Sequence, residues 1–403
     1  MNIFTLSFKY LWSRPLAAAL NVLLLALGVA SITLVLLTSS QIDHAFERDL
    51  KGIDVVVGAK GSPMQLILAG VFHIDTPTGN IPLADVTTLQ QDPRVATLIP
   101  LSLGDSFRGF RIVGTTVDYV THYEAVLTQG VIFKAPLEAV IGSDIAASTG
   151  LAAGKSFIGS HGLGTEGHAH GNTPYQVTGV LAPCSCVLDR LILTATESVW
   201  RVHEKAIEGD TPLDAEDKKA IEEDREVTLA LIRYASPMAA VSFPRFVNTT
   251  TDMQAAAPAI EITRLLRMVG VGTDVLRGFG AVLLLTAGLS VFIALWNAVR
   301  ERRADLAMLR MLGASPQKVA GLLVCEALWL AIIASALGLL LGHLLTGGVG
   351  YLLQAEKSLP MTGWIWLLEE WAIPVAAAIV AVLAALLPAI AAYRVDVQSL
   401  LKS

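Results

Sequence analysis

Four stretches of the chain are apolar at nearly every position: Leu16–Thr38, Phe279–Asn297, Val319–Leu345 and Ala372–Ala392. A helix that is hydrophobic all round belongs in lipid, where the backbone can satisfy its polar groups only within itself. The first run is about 35 Å long as a helix, against a hydrocarbon layer of about 30 Å. Its apolar part exceeds a secretory signal core and no convincing small-x-small cleavage site follows, so it is read as a retained span. Ahead of it, Met1–Arg14 mixes Phe, Leu, Tyr and Trp with Lys9 and Arg14. That mixture predicts a short amphipathic helix with its rings at headgroup level.

Between the first and second runs the period shortens. Ile53–Val57, Arg111–Val113, Val177–Leu181 and Leu229–Ile232 are β-branched or aliphatic stretches bounded by Gly, Pro or charges, and predict strands. Ala84–Gln91 and Ser143–Gly150 have helical spacing, and Asp214–Glu226 is a charged, solvated helix. Val56–Pro63 is Gly-rich and holds Lys60, but lacks the spacing of a nucleotide loop and is read as a strand-to-helix turn. Ala255–Gly272 predicts a stalk helix returning to the membrane. The expected order is an amphipathic helix at 1–14, a span at 15–41, an α/β domain at 42–265 and a stalk at 255–274. A second span at 275–298 follows, then a loop at 299–318, a third span at 319–346, an outer loop at 347–370, a fourth span at 371–393 and a tail at 394–403. The fold class is thus an α-helical membrane domain of four transmembrane helices, with a mixed α/β domain inserted between helices 1 and 2.

Composition agrees: 53% of residues are hydrophobic and 16% charged, far from a soluble average. The net charge of −6 is unevenly spread. Residues 42–273 hold 27 Asp and Glu against 18 Lys and Arg, whereas the other segments are net basic. Short basic loops stay in the cytoplasm, so both termini and the 299–318 turn are expected there, with the acidic domain outside a bacterial inner membrane. Trp364, Trp366 and Trp371 form an aromatic belt on the outer side. No basic, aromatic-laced face appears, which argues against nucleic acid as a partner.

The stretch Leu295–Gly313, LWNAVRERRADLAMLRMLG, carries the most specific pattern. Arg300, Arg302, Arg303 and Arg310 face only Glu301 and Asp305. Leu306, Leu309 and Leu312 lie near one another on a helical face, with Arg303 and Arg310 elsewhere. Gly313-Ala-Ser-Pro316 ends that helix and caps the next. Arg302-Arg303-Ala-Asp305-Leu306-Ala-Met-Leu309-Arg310-Met-Leu-Gly313-Ala resembles the cytoplasmic loop of FtsX/MacB-type ABC transporter permeases, whose usual pattern is Arg-Arg-x-Glu-Ile-x-x-Leu-Arg-Ala-x-Gly-Ala. Asp305 stands for the Glu and Leu306 for the Ile. The Val56–Asp75 region is similar to the start of a MacB-like extracytoplasmic domain. Pro388–Ser403 resembles the family's C-terminal tail, with Val397 where Pro is usual.

The resemblance implies a chain that is not itself an enzyme. ATP and Mg would be handled by a separate ABC ATPase subunit, onto which Arg302, Arg303, Asp305, Leu306, Leu309, Arg310 and Gly313 would dock, the leucines as anchors and the arginines as steering charges. It also implies a homodimer of the permease in membrane lipid, transmitting motion to an outer domain that acts on a periplasmic partner protein or cargo. A membrane scaffold or sensor that needs no ATPase is the alternative from another class.

Within the third span, Gly338-x-x-x-Gly342 permits close helix contact, as packing inside the chain or as a dimer seam. Glu326, about two turns inside the cytoplasmic end, is read as holding helices together or snorkelling, with a transport relay the other possibility. His343 is expected near the outer surface, and Cys325 as a small apolar packer. One further cluster has ligand chemistry. His161, His168 and His170 with Glu166 lie on a Gly-rich loop and could hold a Zn ion; Cys184 and Cys186 could add thiolates, and His203 is a further candidate. That would tie the permease to metal handling. The spacing matches no established zinc motif, and the two cysteines could instead pair with each other.

Overall fold

The computed structural model describes residues 3–13, 15–162, 173–208, 215–355 and 361–394. The chain divides into two units, Met1–Asp43 with Met268–Ser403, and His44–Arg267.

In the first unit, Ile3–Leu11 forms the short N-terminal helix read from the sequence. Among the described residues four helices are long and apolar enough to cross a membrane: Pro15–Leu50, Pro258–Glu301, Pro316–Leu352 and Leu368–Tyr393. Two of them outrun their apolar runs. The first continues to Leu50, and the stalk and second span are one 44-residue helix. That helix opens at Pro258, whose fixed φ and missing N–H suit a first helical position. Ala255 and Ala256, expected in the stalk, instead belong to the strand Met253–Ala256. The interior of the bundle combines small and medium residues, such as Ala287, Val291, Ala327, Ala334, Ala377, Ala381 and Ala385, with buried leucines such as Leu25, Leu295, Leu323 and Leu330. Larger side chains such as Leu285, Leu289, Ile293, Leu383 and Leu387 point outward. Small residues inside let helices in lipid approach closely, where no hydrophobic force draws them together.

The second unit is α/β. Among the described residues its main sheet runs Met253–Ala256, Val55–Ala59, Leu229–Tyr234, Val95–Phe107, Phe110–Thr115, Leu191–Ala195, Glu138–Ile141, Tyr175–Leu181 and Leu127–Gly130. Most pairs are antiparallel; Phe110–Thr115 with Leu191–Ala195 and Glu138–Ile141 with Tyr175–Leu181 are parallel. The 13-residue strand Val95–Phe107 joins two lobes. Its first half pairs with Leu229–Tyr234 and its second with Phe110–Thr115. A register irregularity between Leu103 and Ser106 marks the passage, where Gly104 adopts φ 154°. A core of Val55, Val57, Leu98, Ala230, Ile232, Phe243 and Val247 serves the first lobe. Ile112, Ile141, Ile145, Tyr175, Val177 and Ile192 serve the second.

The strand-to-helix turn after Val55–Ala59 forms as read. Ser62 Oγ accepts the Gln65 N–H, and Pro63 opens the helix Pro63–Gly70. The charged helix is Ala215–Glu223, and Ser143–Thr149 stops at Gly150 in the left-handed region at φ 70°. The tail from residue 395 onward, with Val397, lies outside the described residues.

Candidate functional site

The loop between the second and third spans is a nine-residue helix, Arg303–Met311. Its C-terminus is a Schellman motif: the Ala314 N–H donates to Leu309 O at 3.0 Å and the Gly313 N–H to Arg310 O at 3.1 Å. Gly313 sits at φ 93°, a conformation a side chain would strain. Ser315 Oγ then accepts the Lys318 N–H at 3.4 Å and Pro316 opens the third span. The helix can neither lengthen nor slide without breaking these caps.

Its two faces differ from the sequence reading. Leu306 is 3% exposed and Ala307 4%, both facing the bundle, and Leu309 packs against the same apolar cluster that holds Val319, Leu322 and Leu323. Leu306 is therefore turned to the bundle, and Leu309 is half-buried against it. The outward apolar positions are Met308 at 52%, Met311 at 55% and Leu312 at 86% exposure, with Arg303 and Asp305 also exposed. Leu306 and Leu309 share one face by their i, i+3 spacing, and the apolar interior of the bundle captured that face; Leu312, past the last helical residue, is carried off it.

Arg302 is not a free steering charge either. Its Nη2 donates to Tyr10 O at 3.1 Å and to Ser13 Oγ at 2.7 Å. Its Nη1 lies 3.6 Å from Glu326 Oε1, and the guanidinium carbon stands 4.6 Å from the Tyr10 ring centroid. One side chain thus ties the N-terminal helix, the start of the loop helix and the third span. The N-terminal helix is also held by the Trp329 indole, which donates to Phe4 O at 3.3 Å and meets Phe8 edge-on. A cavity of about 160 Å³ opens beside this junction, lined by Asn21, Asn297, Glu301, Arg302 and Glu326 together with Tyr10 and several alanines and leucines.

Gly338 and Gly342 are spent inside the chain. A Cβ at Gly338 would stand 2.5 Å from Val29 Cβ and 2.7 Å from Ala26 O; one at Gly342 would stand 2.6 Å from Thr33 Cβ. They seat the third span directly on the first. At the other end of the bundle, His343 is buried: Nε2 meets Glu370 Oε2 at 2.8 Å and Nδ1 meets Gly363 O at 2.7 Å. Glu370 Oε1 in turn accepts the Leu367 N–H, and Gln41 makes a reciprocal amide pair with Thr362. The sequence analysis singled out His343 but not its partner Glu370. A carboxylate that opens an apolar span one helix away from an intramembrane histidine was the available signal.

The proposed ligand cluster fares differently residue by residue. His168 and His170 lie outside the described residues. His161 is on a short strand paired with Asp105 and Ser106, and His203 is on the helix Thr196–Glu208. Cys184 and Cys186 are joined in a disulfide, so as they stand they supply no thiolates, which corrects the reading of them as zinc ligands. Among the described residues no group of three or more His, Cys, Asp or Glu could hold a metal ion.

The α/β unit buries several charged groups. Asp49, 1% exposed, accepts the Val187 N–H at 3.3 Å and lies 3.3 Å from Arg48 Nε; burial raises its carboxyl from the ordinary value. His73 meets the Tyr119 hydroxyl at 2.9 Å, and burial holds its ring well below the usual imidazole range, with Arg111 and Arg190 adding to the effect. Arg111 donates to Asp75 O at 2.7 Å, and burial lowers it to about 10. These groups lock segments together at a desolvation cost.

Two family models match. The FtsX-like permease C-terminal model covers residues 277–397, and the MacB-like periplasmic core domain model covers residues 18–201. The pyoverdine export ATP-binding/permease protein PvdT of Pseudomonas entomophila is 22% identical over 357 residues, 85% of this chain and 52% of its own length. The chain thus spans about half the length of that relative. Among solved structures, the periplasmic region of MacB from Actinobacillus actinomycetemcomitans aligns with a TM-score of 0.35 at 13% identity, covering 54% of this chain and 95% of its own. The extracellular domain of the ABC-type transporter YknZ from Gram-positive bacteria gives 0.31 at 12%, covering 50% and 98%.

The two models between them take in most of the sequence, the first span and the α/β unit as far as residue 201 with one and the last three spans with the other. The chain belongs to the FtsX/MacB-type ABC permeases: it is a multi-pass membrane protein with a MacB-like α/β domain and, among the described residues, four helices long and apolar enough to cross a membrane.

Proposed function

We propose that this permease converts ATP-driven movement of a partner ATPase into movement of its α/β domain, outside the bacterial inner membrane. The observation that carries the reading is the two-faced helix Arg303–Met311. Its inner face is fixed in the bundle by Leu306 and Ala307, and its outer face offers Met308, Met311 and Leu312 beside Arg303 and Asp305. A short apolar ridge with flanking charges suits a groove on an ATPase, with the charges steering encounter. The helix is capped at Gly313 and pinned at Arg302, so a push on its outer face moves the ends of the second and third spans rather than unwinding the loop. Two permeases, each bound to one ATPase, would be displaced together as nucleotide draws the ATPases into contact. The unbroken helices Pro15–Leu50 and Pro258–Glu301 would carry that displacement outward as a rigid-body shift. ATP and Mg belong to the ATPase in this scheme. Export, named for the Pseudomonas relative, is the direction of work we favour, with the cargo taken from the membrane or the outer side.

The test is co-purification from native membranes. The parent chain is expected to bring down an ATP-binding subunit, and Met308→Asp with Leu312→Asp to lose it while the permease stays folded. Recovery of the folded permease with no ATPase attached would replace this reading with that of an ATPase-independent scaffold.

A further inference from the structure

The Cys184–Cys186 disulfide spans a single residue and links no two distant parts of the fold. The entropy a disulfide removes from the unfolded chain grows with the loop it closes, so this one adds little to global stability. It also holds Ser185 at φ 54°, in the left-handed region that a residue with a side chain rarely adopts. A cross-link that stabilises so little and constrains its own backbone suits exchange better than stapling.

Its surroundings distinguish the two sulfurs. Cys184 is half-buried beside the exposed Ser185, whereas Cys186 is 5% exposed. Asp189 Oδ1 lies 3.4 Å from Cys184 Sγ, and the Cys186 N–H donates to the same sulfur at 3.1 Å. Exposure makes Cys184 the sulfur that an incoming thiolate reaches, with Cys186 the one expelled. The loop also carries structural hydrogen bonds. The Cys184 N–H donates to Asp189 Oδ1 at 3.0 Å, which also accepts from Ser143 Oγ at 3.0 Å. The Val187 N–H, next to Cys186, donates to the buried Asp49 near the end of the helix Pro15–Leu50.

We propose that Cys184–Cys186 is a thiol–disulfide exchange site for an external dithiol, and that its reduction loosens the grip of the 184–190 loop on Asp49. In the exchange, one thiolate of the dithiol forms an S–S bond with Cys184 Sγ while the Cys184–Cys186 bond breaks and Cys186 leaves as thiolate. The second thiol of the reductant then attacks its own sulfur in the mixed disulfide and releases Cys184. Two electrons pass from the dithiol to the protein, two protons end on Cys184 and Cys186, and the reductant leaves as its disulfide. Ser185 is then free to leave the left-handed region, and the N–H groups on either side lose their fixed aim.

The full chain carrying Cys325→Ala, in lipid nanodiscs without denaturant, is titrated with reduced and oxidised dithiothreitol, quenched with a maleimide and weighed intact. Two maleimides per chain are expected. Hydrogen exchange is expected to rise on reduction in 184–191 and 46–52 and to stay level in Val55–Ala59. Single variants then separate the sulfurs: with Cys186→Ser, oxidised glutathione should add to Cys184 at least about tenfold faster than it adds to Cys186 with Cys184→Ser. Labelling only after denaturation, unchanged exchange at 46–52, or equal adduct rates would each overturn the proposal.

Discussion

Arg302 Nη1 stands 3.6 Å from Glu326 Oε1, with both side chains nearly closed to solvent. The pair joins the residue that opens the loop helix to the third span, and the same guanidinium reaches back to Tyr10 and Ser13. Removing one member of such a pair leaves a charge without its ion partner in a poorly hydrated place, at a cost of about 3–5 kcal/mol. Arg302→Ala is therefore expected to lower the thermal midpoint in nanodiscs sharply. The double change Arg302→Met with Glu326→Leu is expected to recover most of it. If the single variant melts like the parent, the pair is not the pin described.

The two faces of the loop helix separate stability from partner binding. Leu306→Asp places a charge in the apolar interior and is expected to cost several kcal/mol and lower the yield of folded protein. Met308→Asp lies on the exposed face and is expected to shift the melting midpoint little, within about 0.5 kcal/mol. Melting curves of the two permease variants, taken without any partner, check this contrast.

Gly338→Ala puts a methyl against Ala26 O and Val29. Overpacking of this kind costs about 1–3 kcal/mol. Because the contact lies within one chain, the loss is expected to be independent of protein concentration. A loss that grows on dilution would move the glycines to a contact between chains.

His73 gives the α/β unit an acid sensitivity of known sign. Its ordinary value is 6.5 and burial holds it well below that in the fold. As pH falls below about 6.5, the unfolded chain takes up a proton that the folded chain refuses, so stability present above that pH is progressively lost. Asp49, raised above its ordinary 3.8, acts in the opposite sense at lower pH. His73→Asn keeps a residue type that tolerates the φ of 55° found there and is expected to flatten the decline between pH 7 and 5. Urea midpoints at several pH values measure it.

Much of this architecture was readable from residue patterns, because burial in lipid leaves an unambiguous apolar signature. Strands bounded by Gly and charges, and the stop at Gly313, were also readable because local chemistry decides them. The long strand Val95–Phe107 was not, since Pro100 and Gly104 interrupt its run. The facing of Leu306 and Leu309 was not legible either. The i, i+3 pattern shows which residues share a face, but only packing shows whether that face turns to the bundle or to a partner. Cys184 and Cys186 left two outcomes open, thiolate ligands or a bridge, and the fold brings them together as a bridge. The His343–Glu370 contact depends on two segments meeting across 27 positions; the pattern shows a histidine and an acid beside apolar runs, but not that they meet.

The most direct test of the central claim is site-specific photo-crosslinking from the outer face of the loop helix. A benzophenone side chain placed at Met308 or Leu312 in native membranes is expected to capture an ATP-binding subunit, and one placed at the outward-facing Leu289 of the second span to capture none. Capture of that subunit from Leu289 but from neither Met308 nor Leu312 would contradict the account.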